Sequence, residues 1–235
     1  MVHLVDVSAR SFQTVPPAVH AFTRSARMGV SEQSGWYRRR GKRLFDIAFV
    51  CVTALIVVPL FAALALLVAC RGGTPIYRQA RLGQNGRIFH VLKLRTMVPD
   101  ADRALARLLE TDPQRAAEWH ATQKLRDDPR VTPLGRVLRA TSLDELPQFW
   151  NVLRGDMSLI GPRPMMVDQR ALYEGAVYCD LRPGLSGLWQ VSARHAEAFS
   201  RRVDYDREYA TRLSFWFDIQ IMLRTVGVVF RGTGC

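Results

Sequence analysis

Two adjacent carboxylates, Asp144 and Glu145, are the residues of this chain whose types and spacing most clearly allow chemistry. They stand just before Pro147 in a chain of formal net charge +12. Carboxylates bind metal ions or attack phosphorus, while arginines bind oxyanions. The pair therefore predicts a site that acts on phosphorylated compounds. Four arginines lie near it in sequence: Arg136, Arg139, Arg154 and Arg163.

The same acidic pair also has a purely structural explanation. Ser142-x-x-Glu145 has the spacing of a capping box, in which Glu145 binds the first backbone amides of a helix. Alternatively, Pro147 lies in the first turn of a helix that begins a few residues later. On spacing alone capping is the commoner explanation, because acids favour helix N-termini.

The composition limits the class of protein and its partners. A chain of 235 residues allows one domain, or one domain plus a membrane element. The sequence pI of about 10.4 implies a polyanionic partner, namely nucleic acid, anionic lipid headgroups or phosphorylated substrates. Four cysteines without a C-x-x-C motif predict no zinc site and no disulfide framework, and indicate a reducing compartment.

The first part of the chain predicts a tail followed by a basic segment. Residues 1–37 lack sustained hydrophobic periodicity and predict a flexible tail without the apolar core of a signal peptide. A basic cluster follows at Arg38–Arg43. Its place directly before an apolar run favours anionic lipid headgroups over nucleic acid.

An uncharged apolar run of 23 residues, 47–69, is long enough to span a bilayer. Pro59 lies near its middle and removes a helix hydrogen bond there. Basic residues flank the run on both sides, so a straight span leaves one basic flank outside. Residues 38–72 therefore predict a proline-broken, re-entrant membrane helix, with a kinked single-pass helix as the open alternative.

Residues 73–235 predict a mainly helical domain with a small β-hairpin. Asn85-Gly86 lies between two β-prone segments in residues 75–97, which is typical of a hairpin turn. Lys93 and Arg95 alternate with apolar neighbours, so both are expected on one polar face, or simply in solvent. Helical spacing over 100–123 is interrupted at Asp112-Pro113, and Thr132-Pro133 predicts a further helix start.

The C-terminal third combines rigid turns with an apolar helix. Glycines and prolines over 155–194 carry Arg163, Arg182 and Arg194, which frame an anion site or are solvated in structural loops. Residues 213–231 are aromatic and apolar, but Asp218 and Arg224 argue against a clean membrane span. An interfacial amphipathic helix and an internal core helix both fit this pattern.

Taken together, the segment from Lys42 to Gly232 resembles the bacterial sugar transferase family, the small polyprenyl-phosphate hexose-1-phosphate transferases that begin exopolysaccharide assembly. The resemblance covers roughly four-fifths of the chain, and its central block is long and specific. The matching stretches are KRLFD at 42–46, RLGQNGRIF at 81–89, KLRTM at 93–97, VTPLGRVLRATSLDELPQFWNVLRGDMSLIGPRP at 131–164 and RPGLSGLWQV at 182–191, with Asp206, Tyr209 and Asp218.

The resemblance implies a catalytic role for the acidic pair. Asp144 would be the nucleophile that attacks the β-phosphorus of a UDP-sugar and expels UMP. Polyprenyl phosphate would then take the sugar phosphate from Asp144. Glu145, together with Asp144, would bind Mg²⁺, and Arg139 would hold phosphate. Both steps suit these residues, since a carboxylate nucleophile divides phosphoryl transfer into two displacements and cations offset the charge of two anionic substrates.

Other positions match the family pattern with less defined roles. Lys93, Arg194 and Asp218 match functional positions, and Arg163 is expected as a further phosphate ligand. The chain departs from the pattern at Val58-Pro59, where the family usually has serine before the proline, and at Ser192-Ala193-Arg194, where it usually has Asn-Gly-Arg.

The resemblance also implies a location and partners. The fold would be a monotopic, helix-rich domain on the cytoplasmic face of the bacterial inner membrane. Its partners would be a UDP-sugar, undecaprenyl phosphate and anionic membrane lipids, without nucleic acid, and a homodimer is one option for assembly. Glucose and galactose are the expected sugars, by analogy alone. A membrane-tethered basic binding protein and an inactive partner subunit are the competing hypotheses.

Overall fold

The computed structural model describes residues 35–122, 125, 127–192 and 199–230. The chain is rich in helix and contains two small sheets. The sequence predicts the helix content and one of the sheets, the hairpin. The predicted tail lies outside the described residues except at its end. The elements are α1 (Lys42–Ala69), β1 (Ile76–Leu82), β2 (Ile88–Leu94), α2 (Ala101–Thr111), α3 (Pro113–Thr122), α4 (Pro133–Ala140), α5 (Gln148–Arg154), β3 (Ser158–Ile160), α6 (Val177–Asp180), β4 (Gly184–Ser186), α7 (Leu188–Ser192), α8 (Arg202–Arg212) and α9 (Phe215–Phe230).

Helix α1 is the one element of the described chain that is long and apolar enough to cross a membrane by length and composition. It runs for 28 residues without interruption and contains Pro59, so the structure assigns one helix rather than two separate halves. Its middle is exposed: Val52, Leu55 and Ile56 are 75%, 85% and 75% accessible. The re-entrant path stays a prediction.

Both ends of α1 pack against the rest of the protein. Near its start, the buried Asp46 carboxylate accepts hydrogen bonds from the Ser158 hydroxyl and the Leu159 amide, both at 3.1 Å. Near its end, Val68 packs with Leu94 and Leu138 in a separate apolar cluster. The helix is therefore attached at both ends, and its exposed middle is an apolar surface without a protein partner among the described residues.

The predicted hairpin is confirmed. Strands β1 and β2 pair antiparallel, with Ile76 opposite Leu94 and Leu82 opposite Ile88. Asn85 adopts a left-handed conformation (φ 58°) in the connecting turn, which asparagine tolerates better than most residues. The Arg95 side chain departs from its expected place beside Lys93, because it donates hydrogen bonds to backbone carbonyls at the end of α1.

The predicted helix boundaries around α2, α3 and α4 are confirmed. The Asp112 carboxylate accepts hydrogen bonds from the first amides of α3, which explains the interruption before that helix. The Thr132 hydroxyl accepts a hydrogen bond from the Gly135 amide at 2.9 Å, and Pro133 is the first residue of α4. A Cβ at Gly135 would lie 2.0 Å from the Thr96 carbonyl oxygen, so only glycine lets α4 approach the chain beyond β2 this closely.

The core joins the short parallel pair β3–β4 to the C-terminal helices. Met157 and Ile160 are buried with Tyr209 of α8 and Ile221 of α9. Helix α9 buries one face, while Trp216 on the other is 73% exposed. The segment is therefore a core helix that also presents an apolar surface, and the interfacial helix stays a prediction.

Candidate active site

The acidic pair lies in a tight turn rather than at a capped helix start. Ser142 has a left-handed backbone (φ 57°), and its side chain makes no capping hydrogen bond. The capping-box interpretation is therefore wrong, because a helix N-cap needs an extended backbone to aim its side chain at the next amides. Residues Leu143–Glu145 form a single 3₁₀ turn, and α5 begins directly after Pro147.

Lys93 of β2 connects the two carboxylates. Its ammonium nitrogen lies 2.7 Å from Glu145 Oε1 and 3.6 Å from Asp144 Oδ2. The Asp144 side chain is the more enclosed of the two, with 11% exposed against 29% for Glu145. The three charges form one partly buried cluster, in which one cation is shared by two anions.

The protonation of these two acids is pushed in opposite directions. Burial raises the pKa of Asp144; Lys93 opposes that shift and the Glu145 charge adds to it. Burial also acts to raise the pKa of Glu145, but the charge and hydrogen bond of Lys93, followed by Arg163, lower it below its ordinary value. Glu145 is thus held ionised, while Asp144 is a poorly solvated carboxylate, which is a more reactive nucleophile than a fully hydrated one.

Asn151 fixes the strand that carries Lys93 against the helix that follows the acidic turn. Its amide nitrogen donates to the His90 carbonyl at 2.8 Å, and its oxygen accepts from the Leu92 amide at 3.1 Å. Because Asn151 is only 2% exposed, water does not compete for these hydrogen bonds. The sequence places Asn151 inside the matching block without indicating that it positions Lys93.

Two arginines complete the polar part of the site. The Arg139 Nε donates to the Thr96 hydroxyl at 2.9 Å, which orients the guanidinium towards the turn. Arg163, in the Pro-Arg-Pro loop, forms no ion pair in the described part of the chain. Arg139, Arg163 and Lys93 all line one cavity with Asp144 and Glu145, so the structure brings together five of the predicted site residues.

That cavity, here called the active-site cavity, has a volume of about 420 Å³. Its apolar wall includes Phe49 of α1 and Met222 and Val226 of α9, beside apolar residues of the acidic turn, β3 and β4. Trp189 also lines it, and its indole N–H is buried without a hydrogen-bond partner among the described residues. Sequence reasoning missed these wall residues, since no local pattern distinguishes them from an ordinary core.

Asp218 is not part of this cavity. Its fully buried carboxylate is bound by the Lys42 ammonium at 2.7 Å, the Tyr37 hydroxyl at 2.7 Å and the Tyr209 hydroxyl at 2.8 Å. These contacts join the basic segment before α1 to α8 and α9. Arg194, the remaining predicted binding residue, lies outside the described residues.

The donor set around the acidic pair fits a metal only if the substrate helps to bind it. Within the ranges that the structure describes, no group of three or more metal-ligating side chains occurs. Mg²⁺ commonly takes one or two carboxylates together with substrate phosphates and water. Asp144 and Glu145 supply those carboxylates, so the residues present suit a magnesium ion shared with a diphosphate.

Comparisons with known proteins identify the family of this chain. The model of the family described as bacterial sugar transferase matches residues 37–232. The exopolysaccharide production protein ExoY of Rhizobium meliloti is 41% identical over 211 residues, which cover 87% of this chain and 93% of ExoY. The UDP-galactose-lipid carrier transferase of Erwinia amylovora is 44% identical over 195 residues, which cover 82% of this chain and 41% of that protein.

A third relative carries a more explicit name. The UDP-glucose:undecaprenyl-phosphate glucose-1-phosphate transferase of Escherichia coli is 38% identical over 196 residues, covering 79% of this chain and 39% of that protein. The chain thus spans about two fifths of the length of several of these relatives, and nearly all of ExoY. The extent of these matches shows that the chain belongs to the bacterial sugar transferase family.

Proposed function

We propose that this protein transfers a sugar-1-phosphate from a UDP-sugar to undecaprenyl phosphate, as the first step of exopolysaccharide synthesis. The observation that carries the proposal is the cluster of Asp144, Glu145, Lys93 and two arginines in a cavity with an apolar wall from α1 and α9. The names of the relatives support the donor and acceptor classes.

The reaction proceeds through two displacements at one phosphorus. In the first, an Asp144 oxygen attacks the β-phosphorus of the UDP-sugar, the bond to the bridging oxygen breaks, and UMP leaves with that oxygen. In the second, an oxygen of undecaprenyl phosphate attacks the same phosphorus and the bond to Asp144 breaks. The products are undecaprenyl diphosphate-sugar and the free Asp144 carboxylate. The covalent intermediate thus replaces one direct displacement, in which undecaprenyl phosphate would attack the UDP-sugar, with two separate steps.

The cations of the cavity serve both displacements. Lys93, Arg139 and Arg163 line the cavity with the acidic pair, and they would offset the charge of the diphosphate and of the leaving UMP. Asp144 and Glu145 would hold Mg²⁺ on the substrate phosphates. When bound, that ion neutralises phosphate charge and makes phosphorus easier to attack.

The apolar wall suits the acceptor. Phe49, Met222 and Val226 provide a hydrocarbon surface beside the charged cluster, as a polyprenyl chain with a phosphate head requires. The attachment of both ends of α1 to the catalytic domain, with an exposed apolar middle between them, supports a re-entrant helix on the cytoplasmic face of the inner membrane. The basic segment Arg38–Arg43 would then face anionic lipid headgroups.

Topology has its own test. An epitope tag at either terminus is probed with antibody in intact spheroplasts. A re-entrant helix leaves both tags protected until the membrane is permeabilised, while a spanning helix exposes one tag. Pro59→Ala, which restores the missing helix hydrogen bond, is expected to convert the protected pattern into the one-sided pattern. Exposure of one tag in the unaltered protein would contradict the re-entrant path.

The reaction itself is tested by UMP release. Purified protein in lipid nanodiscs receives Mg²⁺, undecaprenyl phosphate and one UDP-sugar from a panel that includes UDP-glucose and UDP-galactose. Release of UMP over many turnovers with one sugar, dependent on the lipid acceptor, is the expected result. Trapping of a ³²P-labelled protein in the absence of acceptor, lost in Asp144→Asn, identifies the covalent step. No UMP with any donor, from protein whose thermal unfolding remains cooperative, would overturn the proposal.

A further inference from the structure

A second cavity of about 690 Å³ lies beside the start of α1, and we call it the basic cavity. Three of its cations precede α1 or begin it, at Arg38, Arg39 and Lys42, and a fourth is Arg182 in the loop before β4. Asp180 is the one acid among the described lining residues. None of the residues that line the active-site cavity lines this one.

The charges of the basic cavity are poorly balanced. Lys42 is the exception, since it forms an ion pair with Asp218 at 2.7 Å. Arg38 donates to the Ala210 carbonyl at 3.3 Å, which is a neutral partner. Arg39 and Arg182 have no ion pair and no hydrogen bond within the part of the chain that the structure describes. Three guanidinium groups therefore face one cavity without a carboxylate of their own.

Arg182 is the most unusual of the three. Its Nε is buried and has no hydrogen-bond partner among the described residues. Its charge also repels that of Arg43, whose side chain is turned away and donates to the Val152 and Leu153 carbonyls. A buried unsatisfied donor and a like-charge neighbour both cost stability. An anion in the cavity would remove both costs.

The loop that carries Arg182 is fixed in place. Gln84, in the turn between β1 and β2, donates its side-chain amide to the Asp180 carbonyl at 3.1 Å. The Ser158 amide donates to the Pro183 carbonyl at 2.8 Å on the other side of Arg182. The guanidinium is thus presented by a braced backbone, so the cavity is preorganised rather than assembled by chance from flexible side chains.

We propose that the basic cavity binds one phosphate group, carried by an anionic phospholipid of the membrane around the protein. Arginine prefers phosphate, whose oxygens match its planar set of donors. The position of the cavity, beside the residues that directly precede the apolar helix α1, places that phosphate at headgroup depth. The inference rests on the proposed membrane association and is independent of the proposed reaction.

Native mass spectrometry tests the proposal. The full chain is placed in nanodiscs of phosphatidylglycerol and phosphatidylcholine in equal amounts and released into the gas phase. The expected result is one retained phosphatidylglycerol in the unaltered protein and at least a tenfold lower retained fraction in Arg182→Gln. Arg207→Gln is the matched control, because Arg207 is 63% exposed on α8 and lines neither cavity. Arg39→Gln gives a second variant should Arg182→Gln not fold.

A second arm separates the two sources of phosphate. Protein in nanodiscs of phosphatidylcholine alone is titrated with inorganic phosphate, and thermal unfolding is followed. A rise in Tm that depends on Arg182, together with no retained phosphatidylglycerol, would assign the cavity to a free phosphate and overturn the lipid. Equal retention of phosphatidylglycerol by the unaltered protein, Arg182→Gln and Arg39→Gln would overturn the site itself. UMP release from the same samples shows separately whether the transferase proposal holds.

Discussion

The active-site cavity and the basic cavity use the same kinds of cation in opposite electrostatic surroundings. In the first, Lys93 lies between Asp144 and Glu145 and its charge is more than balanced. In the second, Arg39 and Arg182 face the cavity with no carboxylate partner in the described chain. The difference separates two tasks. Lys93 and the two acids tune one another's charge, whereas arginines without a carboxylate partner in the described chain, in either cavity, are available to bind an anion from outside.

The two cavities are neighbours along one helix. Lys42 lines the basic cavity and Phe49 lines the active-site cavity. Seven residues of α-helix separate them, which is about 10 Å along the axis. A phosphate bound in the basic cavity would therefore hold the start of α1 close to the place where the reaction is proposed to occur.

The largest effect is expected at the acid of the active-site cavity. Asp144→Asn keeps the shape of the side chain but removes the nucleophile, so UMP release should fall by roughly 10⁴-fold or more. The Tm should hardly change, since Asn has the same volume. Asp204→Asn is the control, because Asp204 is an exposed acid that pairs only with surface arginines. Turnover retained in Asp144→Asn would contradict the catalytic role of this cavity, and with it the functional difference between the two cavities.

A large effect on stability, not chemistry, is expected beneath the basic cavity. Asp218→Ala leaves the Lys42 ammonium and the Tyr37 hydroxyl without this acceptor, and leaves the Tyr209 hydroxyl with the Ile160 carbonyl alone. Breaking such a buried pair costs about 3–5 kcal/mol, which lowers Tm by roughly 6–20 °C in a chain of this size. Differential scanning fluorimetry in detergent measures it. An unchanged Tm with lost activity would instead support the sequence-based prediction that Asp218 binds substrate.

A shift in the pH dependence of the reaction rate is expected when the positive charge of Lys93 is removed from the active-site cavity. Lys93 lowers the pKa of both Asp144 and Glu145, so Lys93→Met lets both pKa values rise. A smaller fraction of each acid is then ionised at a given low pH. The acid limb of the pH–rate profile should therefore move to higher pH. A limb that stays in place would show that Lys93 acts on the substrate alone.

The smallest effect is expected in the basic cavity, where a substitution should raise the stability of the protein, whereas Asp218→Ala lowers it. Arg182→Met removes the repulsion of Arg43 and a buried, unsatisfied donor. In detergent without phospholipid or phosphate, it should stabilise the protein by about 0.5–1 kcal/mol, a rise in Tm of roughly 1–4 °C. The same variant should lose the stabilisation that phosphatidylglycerol gives. A lower Tm in detergent would indicate that Arg182 has a structural partner rather than an open site.

Local features were predictable because short stretches of sequence decide them. The Asn85-Gly86 turn needs a left-handed backbone, and the Thr132-Pro133 start needs a hydroxyl acceptor and a fixed φ. Both requirements are met by the residues themselves. The capping-box prediction was wrong because a distant contact decides this region. Ser142 and Glu145 have the spacing of a cap, but they lie in a turn in which Glu145 accepts a hydrogen bond from Lys93, 52 residues away.

The sequence by itself determined the helix-rich class, the hairpin, the apolar helix and the acidic pair with its neighbouring arginines, because periodicity, turn residues and a long specific motif are readable along the chain. Only the tertiary structure decided which charges meet. It sent Asp218 to Lys42, 176 residues away, and left Arg182 beside Arg43 without an acid. Electrostatic partners depend on distance in space, and no local pattern records the packing that brings two distant segments together.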